Sequence, residues 1–222
     1  MKRILLATIA CLALSSTLFA GNYVPEQRPE NELSVSYGVV SVPAFAFAIG
    51  GVFATAFTFG LATMDDMTDS GTFGIEYFHF FNNHVAVGGI ATFENCCLKM
   101  KSYTGKDAEG KATYNNKLTP HPAYFITLMP EVKLPWFNLP HFGMYSKLAA
   151  GAWMQYSPEV VDMVEGSDGQ PTRDVTPSST DFGFAAQVNP IGMDFGGRQH
   201  RGFIELGWGL QGLIMGGYRF AF

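Results

Sequence analysis

The sequence predicts an all-β fold, an eight-stranded antiparallel up-and-down transmembrane β-barrel. Three observations predict it. Apolar and polar residues alternate at period two in segment after segment. The connections between these segments are long and short in turn. The polar face carries ionisable residues where a soluble sheet would carry its core.

Composition points the same way. Of 222 residues, 15% are charged and 47% hydrophobic, with 25 glycines and 20 phenylalanines. Soluble domains carry about 25% charged residues. Glycine disfavours helices and phenylalanine favours strands. The length suits one large domain. A net charge of −5 and the lack of any run of Lys and Arg argue against nucleic acid as a partner.

Residues 1–20 read as a cleaved signal peptide. Lys2 and Arg3 form the basic start, Ile4 to Leu14 the apolar stretch, and cleavage is expected after Ala20. The stretch is too short for a membrane anchor, and Thr8-Ile9-Ala10 before Cys11 fits a lipobox poorly. The domain organisation is therefore a signal peptide, 1–20, and a barrel domain, 21–222. Losing Lys2 and Arg3 leaves 12 basic against 19 acidic residues, a net charge of −7.

The first strand alternates Leu33, Val35, Tyr37 and Val39 with Ser34, Ser36 and Gly38. The second sets Phe73, Ile75 and Tyr77 against Thr72, Gly74 and Glu76. After the turn at Asn82-Asn83-His84, the third sets Val85, Val87, Ala91 and Phe93 against Ala86, Gly88, Thr92 and Glu94. The fourth carries Tyr124, Ile126, Leu128 and Val132 on one face, with Thr127, Met129, Glu131 and Lys133 on the other. The fifth places Phe142, Met144, Leu148, Ala150 and Met154 opposite Tyr145, Lys147, Gly151 and Gln155. In the sixth, Phe182, Phe184 and Val188 face away from Asp181, Gln187 and Asn189. Ile204-Leu206-Trp208 opposite Glu205, and Ile214-Tyr218-Phe220-Phe222 opposite Arg219, complete the set. These lengths reach the roughly 9–11 residues that a tilted spanning strand needs.

Residues 41–70, 104–111 and 157–179 are expected as exposed loops, and 82–84, 135–141 and 196–200 as short turns. For the last hairpin, a three-residue loop Leu210-Gln211-Gly212 pairs Trp208 with Ile214 and Ile204 with Tyr218, keeping both partners on one face. Glu205 and Arg219 are then diagonal neighbours. The inward face carries Glu76, Glu94, Glu131, Lys133, Lys147, Glu205 and Arg219, expected to pair with one another as structural interior charges. Eight strands leave an interior that side chains fill.

The chain ends Gly217-Tyr218-Arg219-Phe220-Ala221-Phe222. This resembles the C-terminal signal by which the outer-membrane assembly machinery recognises its clients. Gly217, Phe220 and Phe222 fit that pattern, and Met215 stands where a polar residue is usual. From about residue 31 to 222 the chain resembles the small eight-stranded outer-membrane barrels of the OmpA and OmpX type. The resemblance implies a monomer in the outer membrane of a Gram-negative bacterium. Its partners would be membrane lipids, lipopolysaccharide and the assembly machinery. Such barrels share no activity: some are structural, some adhesive, some meet host molecules, and a few modify lipid.

Val42 to Thr63 is uncharged over 22 residues, with Phe45, Ile49, Phe53 and Phe57 four apart. A short helix in the first long loop is expected there, lying on the barrel mouth or the outer leaflet. Asp65, Asp66 and Asp69 could hold a divalent cation, but no ligand-loop spacing is complete, and a solvated loop is the stronger reading. Loop 157–179 is likewise acidic and expected to be flexible. Cys96 and Cys97 are adjacent and have no zinc-site spacing.

A lipid-modifying barrel of this class needs Ser, His and an acid together. His121 is followed by Pro122 and Ala123, His79 and Glu76 fall on opposite faces, and His84, His141 and His200 fall at short turns. No catalytic residue, cofactor or metal ligand is assigned. The expected function is non-enzymatic, structural or surface-interacting through the loops. The alternatives are an outer-leaflet lipid A-modifying enzyme and a narrow channel for small solutes.

Overall fold

The computed structural model describes residues 29–44, 46, 64–110, 112–165 and 170–222. The expected signal peptide lies outside them. Ten strands are present: β1 (Asn31–Val39), β2 (Met64–Asn82), β3 (Val85–Lys106), β4 (Ala112–Asn138), β5 (Phe142–Ser157), β6 (Val160–Glu165), β7 (Pro171–Thr176), β8 (Ser179–Gly196), β9 (His200–Gly209) and β10 (Ile214–Ala221). Eight of them close into one antiparallel barrel in the order β1-β10-β9-β8-β5-β4-β3-β2, with β2 paired back to β1. β6 and β7 form a separate hairpin. Closure leaves no free edge in the barrel wall. At its seam, Asn31 and Phe222 exchange both backbone hydrogen bonds, at 3.0 and 2.9 Å.

Alternation decides which way each side chain faces, and the inversion expected from the pattern is present. Outward lie Ile75, Leu128, Phe182, Phe184 and Trp208, with Phe182 72% and Phe184 74% exposed. Inward lie Glu76, Lys147, Glu205 and Arg219, none more than 2% exposed.

The sequence expectations need correcting in four places. First, β2 begins at Met64, so Asp65, Asp66 and Asp69 belong to a strand rather than to a 41–70 loop. The ladder to β1 stops at Gly38↔Thr72, while that to β3 continues to Met64↔Met100. Beyond the barrel rim a strand is no longer apolar on one face, so its sequence reads as loop. Second, β3 and β4 run on to Lys106 and Ala112, narrowing the expected loop 104–111 at one end and shortening the turn 135–141, since β4 extends to Asn138. Third, segment 157–179 contains the β6–β7 hairpin, paired from Val160↔Thr176 to Glu165↔Pro171.

The fourth correction concerns the last hairpin. Ile214 pairs with Leu206, and Ile204 with Gly216, a slip of two residues from the expected register. Facing is conserved by an even slip, so matching faces could not distinguish the two. Trp208 and Gly209 pair instead with Val188 and Gln187 on β8. Leu210 and Gln211 then turn into the barrel, where both are buried. Of the expected helix 42–63, Val42, Pro43 and Ala44 are helical, and the residues beyond them lie largely outside the described ones.

Candidate functional site

The barrel interior is layered, and β3 and β4 set the layers. Their inward partners run Ala86↔Lys133, Ile90↔Met129, Thr92↔Thr127, Glu94↔Phe125 and Cys96↔Ala123. At the end of the barrel beside Glu30 and Glu32 lies an apolar floor of Phe78, Phe80 and Ala86. The Lys133 ammonium sits 5.6 and 5.4 Å from the Phe78 and Phe80 ring centroids and 4.3 Å from that of Tyr145.

Above it is an ionic layer. Lys133 Nζ lies 2.6 Å from Glu32. Lys147 Nζ pairs with Glu76, and with Glu205 at 2.8 Å. Arg219 is central: its nitrogens lie 3.3 Å from Glu32, 3.7 Å from Glu76, 3.5 Å from Asp194 and 3.6 Å from Glu205. Arg201 holds the other oxygen of Asp194 at 2.8 Å. Tyr145 donates to Glu205 at 2.6 Å and accepts from Arg219 at 3.2 Å. Burying a charge is costly unless it is paired and hydrogen-bonded, and this layer meets that condition several times over. Glu205 and Arg219 meet across the interior, not as the ladder diagonal expected, because β10 is slipped against β9.

The next layer is amide-rich. Gln211 donates to Glu131 at 2.7 Å, and Gln187 to Asn189 at 2.6 Å, which in turn donates to Glu205 at 2.6 Å. Ile90, Met129, Ala149, Ala185 and Leu210 then form an apolar cluster, with Val42 and Trp153 packed against it. Near the rim, Glu94 accepts from Ser41 and, at 2.8 Å, from Thr72.

Thus Glu76, Glu94, Glu131, Lys133, Lys147, Glu205 and Arg219 all lie inside and buried. Sequence reasoning missed Glu32, Asp194 and Arg201. Arg201 was within reach by counting back in twos from Glu205. Asp194 was not: the register shifts between Val188 and Ile191 on β8, so its parity is reversed relative to Gln187 and Asn189.

The C-terminal residues divide. Phe220 and Phe222 stack outward with centroids 5.6 Å apart, and His200 lies 5.2 Å from Phe220. Gly217 has a local reason of its own: a Cβ there would lie 2.1 Å from Val35 O and 2.7 Å from the Phe203 ring.

Among the described residues the histidines form no triad. His121 does meet an acid the sequence could not pair with it: its Nε2 lies 2.8 Å from Asp162 on β6. Among the described residues no hydroxyl or thiol is bonded to that imidazole. His79 bonds Asn31 at 3.0 Å, away from the buried Glu76. Cys96 and Cys97 are both free. As neighbours on a strand they face opposite ways, Cys96 fully buried and Cys97 half-buried.

No protein-family model matches this chain. No curated protein matches it either. Among solved structures, it is similar to Ail, the attachment invasion locus protein of Yersinia pestis, determined in complex with the heparin analogue sucrose octasulfate. The two are 15% identical over 86% of this chain and 99% of that one, with a TM-score of 0.34.

Proposed function

We propose that this protein is a non-enzymatic outer-membrane barrel whose interior is a structural plug and whose projecting strands act at the cell surface. The observation that carries the reading is the inverted burial of a closed barrel: Arg219, Lys147 and Lys133 inside, Phe182, Phe184 and Leu128 outside. In water that outer face would be an aggregation hazard. In lipid it is the solvated face, and closure satisfies the backbone. β1 and β9, with 9 and 10 residues, match the length of a tilted spanning strand, and β10, with 8, is one residue shorter.

The surface role rests on what extends past the band. β4 pairs with β5 only as far as Tyr124↔Tyr156, but with β3 as far as Ala112↔Lys106. That is ~40 Å of strand at 3.3–3.4 Å per residue. The β6–β7 hairpin adds exposed Val161, Met163, Val164 and Val175. In this reading the barrel domain spans 21–222 after removal of residues 1–20, and the protein is a monomer. The lipids of both leaflets, lipopolysaccharide included, cover the apolar wall. The assembly machinery reads Gly217 and Phe220, on the strand β10 that closes the seam, and Phe222 just after it.

The test combines a heat-mobility gel on the outer-membrane fraction with trypsin treatment of intact cells. Arg173 on β7 is exposed. The expected result is a mobility shift on boiling, together with cleavage in the β6–β7 hairpin that leaves the barrel protected. An unshifted band in the inner membrane, or a hairpin protected on intact cells but cut in spheroplasts, would sink the reading.

A further inference from the structure

We propose that Asp69, Glu94 and Cys96 form a binding site for a divalent cation of the zinc class, near the end of the barrel that carries the projecting strands. This inference is independent of the role proposed above.

The local backbone builds the site. Regular alternation back from Thr72 would point Asp69 outward. Instead the β2–β3 pairing steps from Thr72↔Glu94 to Asp69↔Cys96, with Ser70 and Gly71 as a bulge. Gly71 takes φ 68°, a left-handed conformation open to glycine. Asp69 is thereby turned onto the face of Cys96. Two bonds hold it there: the Gly71 N–H donates to Asp69 Oδ1 at 3.0 Å, and the Asn95 N–H donates to Ser70 Oγ at 2.9 Å.

The donor atoms converge at the right separation. Cys96 Sγ lies 3.3 Å from Glu94 Oε1 and 3.9 Å from Asp69 Oδ1, and ligand atoms of all three residues lie within 4.8 Å of one another. In a tetrahedral zinc site, bonds of 2.3 Å to sulfur and 2.0–2.2 Å to oxygen set sulfur and oxygen about 3.5 Å apart. A thiol with two carboxylates suits a borderline cation better than calcium or magnesium, which take oxygen.

Charge supplies an independent argument. Glu32, Glu76, Asp194 and Glu205 each lie within ion-pair distance of a Lys or Arg. Glu94 and Glu131 are as deeply buried, each at 2% exposure, and neither is in an ion pair among the described residues; Glu131 accepts from the Gln211 amide, whereas Glu94 meets only the Ser41 and Thr72 hydroxyls and the Cys96 thiol. Among the described residues neither Glu94 nor Asp69 has a cationic partner. A buried carboxylate without a counter-charge takes up a proton or a cation, and the Cys96 thiol and Asp69 carboxylate beside Glu94 supply the further ligands a cation needs. Asp69 is half-buried, the least covered of the three ligands.

The experiment uses the exported protein folded in detergent micelles, stripped with chelator and checked for its heat-mobility shift. Zinc is titrated calorimetrically. Cadmium is then added while thiolate-to-metal charge-transfer absorption is followed. One equivalent of zinc per chain is expected, with a cadmium–thiolate band kept in Cys97→Ala and lost in Cys96→Ser. Asp69→Asn should weaken zinc at least tenfold, and if Cys96→Ser does not fold, this variant and Cys97→Ala decide. The proposal is overturned if folded protein takes up no zinc, if the band follows Cys97, or if Asp69→Asn binds as tightly as the parent.

Discussion

Inside the barrel, three aromatic side chains lie over glycines on the neighbouring strand: Tyr145 over Gly192, Trp153 over Gly183 and Phe203 over Gly217. Such pairs let a large ring fold flat against the wall, filling the lumen sideways. At Gly192 a Cβ would stand 2.4 Å from the Tyr145 ring. Tyr145 cannot simply retreat, because its hydroxyl is bonded to Glu205 and Arg219. Gly192→Ala should therefore destabilise the barrel by about 1–3 kcal/mol, the range for overpacked interiors. Urea unfolding in micelles measures this, and an unchanged midpoint would mean that the ring is free to move. Arg219 is the residue on which most carboxylates converge. Its guanidinium also stacks on Phe203, 4.4 Å from the ring centroid. Truncating one partner of a buried ionic network costs about 3–5 kcal/mol, because the other charges stay buried. Arg219→Ala should lose stability in that range. Arg219→Lys should recover only part of it, since one ammonium cannot reach four carboxylates as a fork does. Equal stability of Arg219→Ala and the parent would remove the network from any account of the fold.

At the scale of elements, the β6–β7 hairpin contributes no strand to the barrel and packs chiefly against β3, with Asp162 2.8 Å from His121 on β4. Removing Val160–Thr176 and bridging the gap with a glycine turn should leave the heat-mobility shift and unfolding midpoint nearly unchanged, because the β5–β8 ladder down from Ser157↔Ser179 remains. Loss of the folded band in that deletion would show that the hairpin is part of the folding unit. The same elements mark where the sequence stops being legible. Strands within the apolar band were readable because one face meets a charged interior and the other an apolar exterior, so parity carries information. Above the band both faces meet similar surroundings and parity fades, which is why Asp65 to Asp69 read as loop and the fourth strand is legible only from Tyr124. Pro120 and Pro122 lie in the part of β4 before Tyr124. They sit comfortably because this half of β4 lies beyond its last pair with β5, at Tyr124, and bonds to β3 alone. Parity also fails across bulges, hiding Asp194 behind the shift at Val188 and Asp69 behind the one at Ser70. The interior charges, by contrast, needed only the pattern: Glu76, Glu131 and Lys147 sit on regular stretches.

For the whole molecule, the question is whether a barrel with so many interior charges conducts ions. Among the described residues the lumen is crossed by several layers that share no continuous polar path. The ionic layer is locked by Arg219 and Lys147, whose partners lie on β1, β2, β8 and β9, so it ties opposite walls together. Above it stand Ile90, Met129, Leu210 and Trp153, an apolar layer that offers an ion no ligand. Below it stand Phe78 and Phe80. An ion would have to displace paired charges and then cross apolar contact, and desolvation opposes both steps. Protein reconstituted into planar bilayers is therefore expected to give no conductance above background. Trp153→Ala should leave it closed as well, because that change opens only the apolar layer and leaves the Arg219 layer intact. Trp153→Ala combined with Arg219→Ala removes a member of both layers. If any of these proteins conducts, the double variant should. Discrete conductance steps from the parent protein would instead mean that the charged layer opens under voltage, and the interior would then have to be read as a gated path and not as a plug.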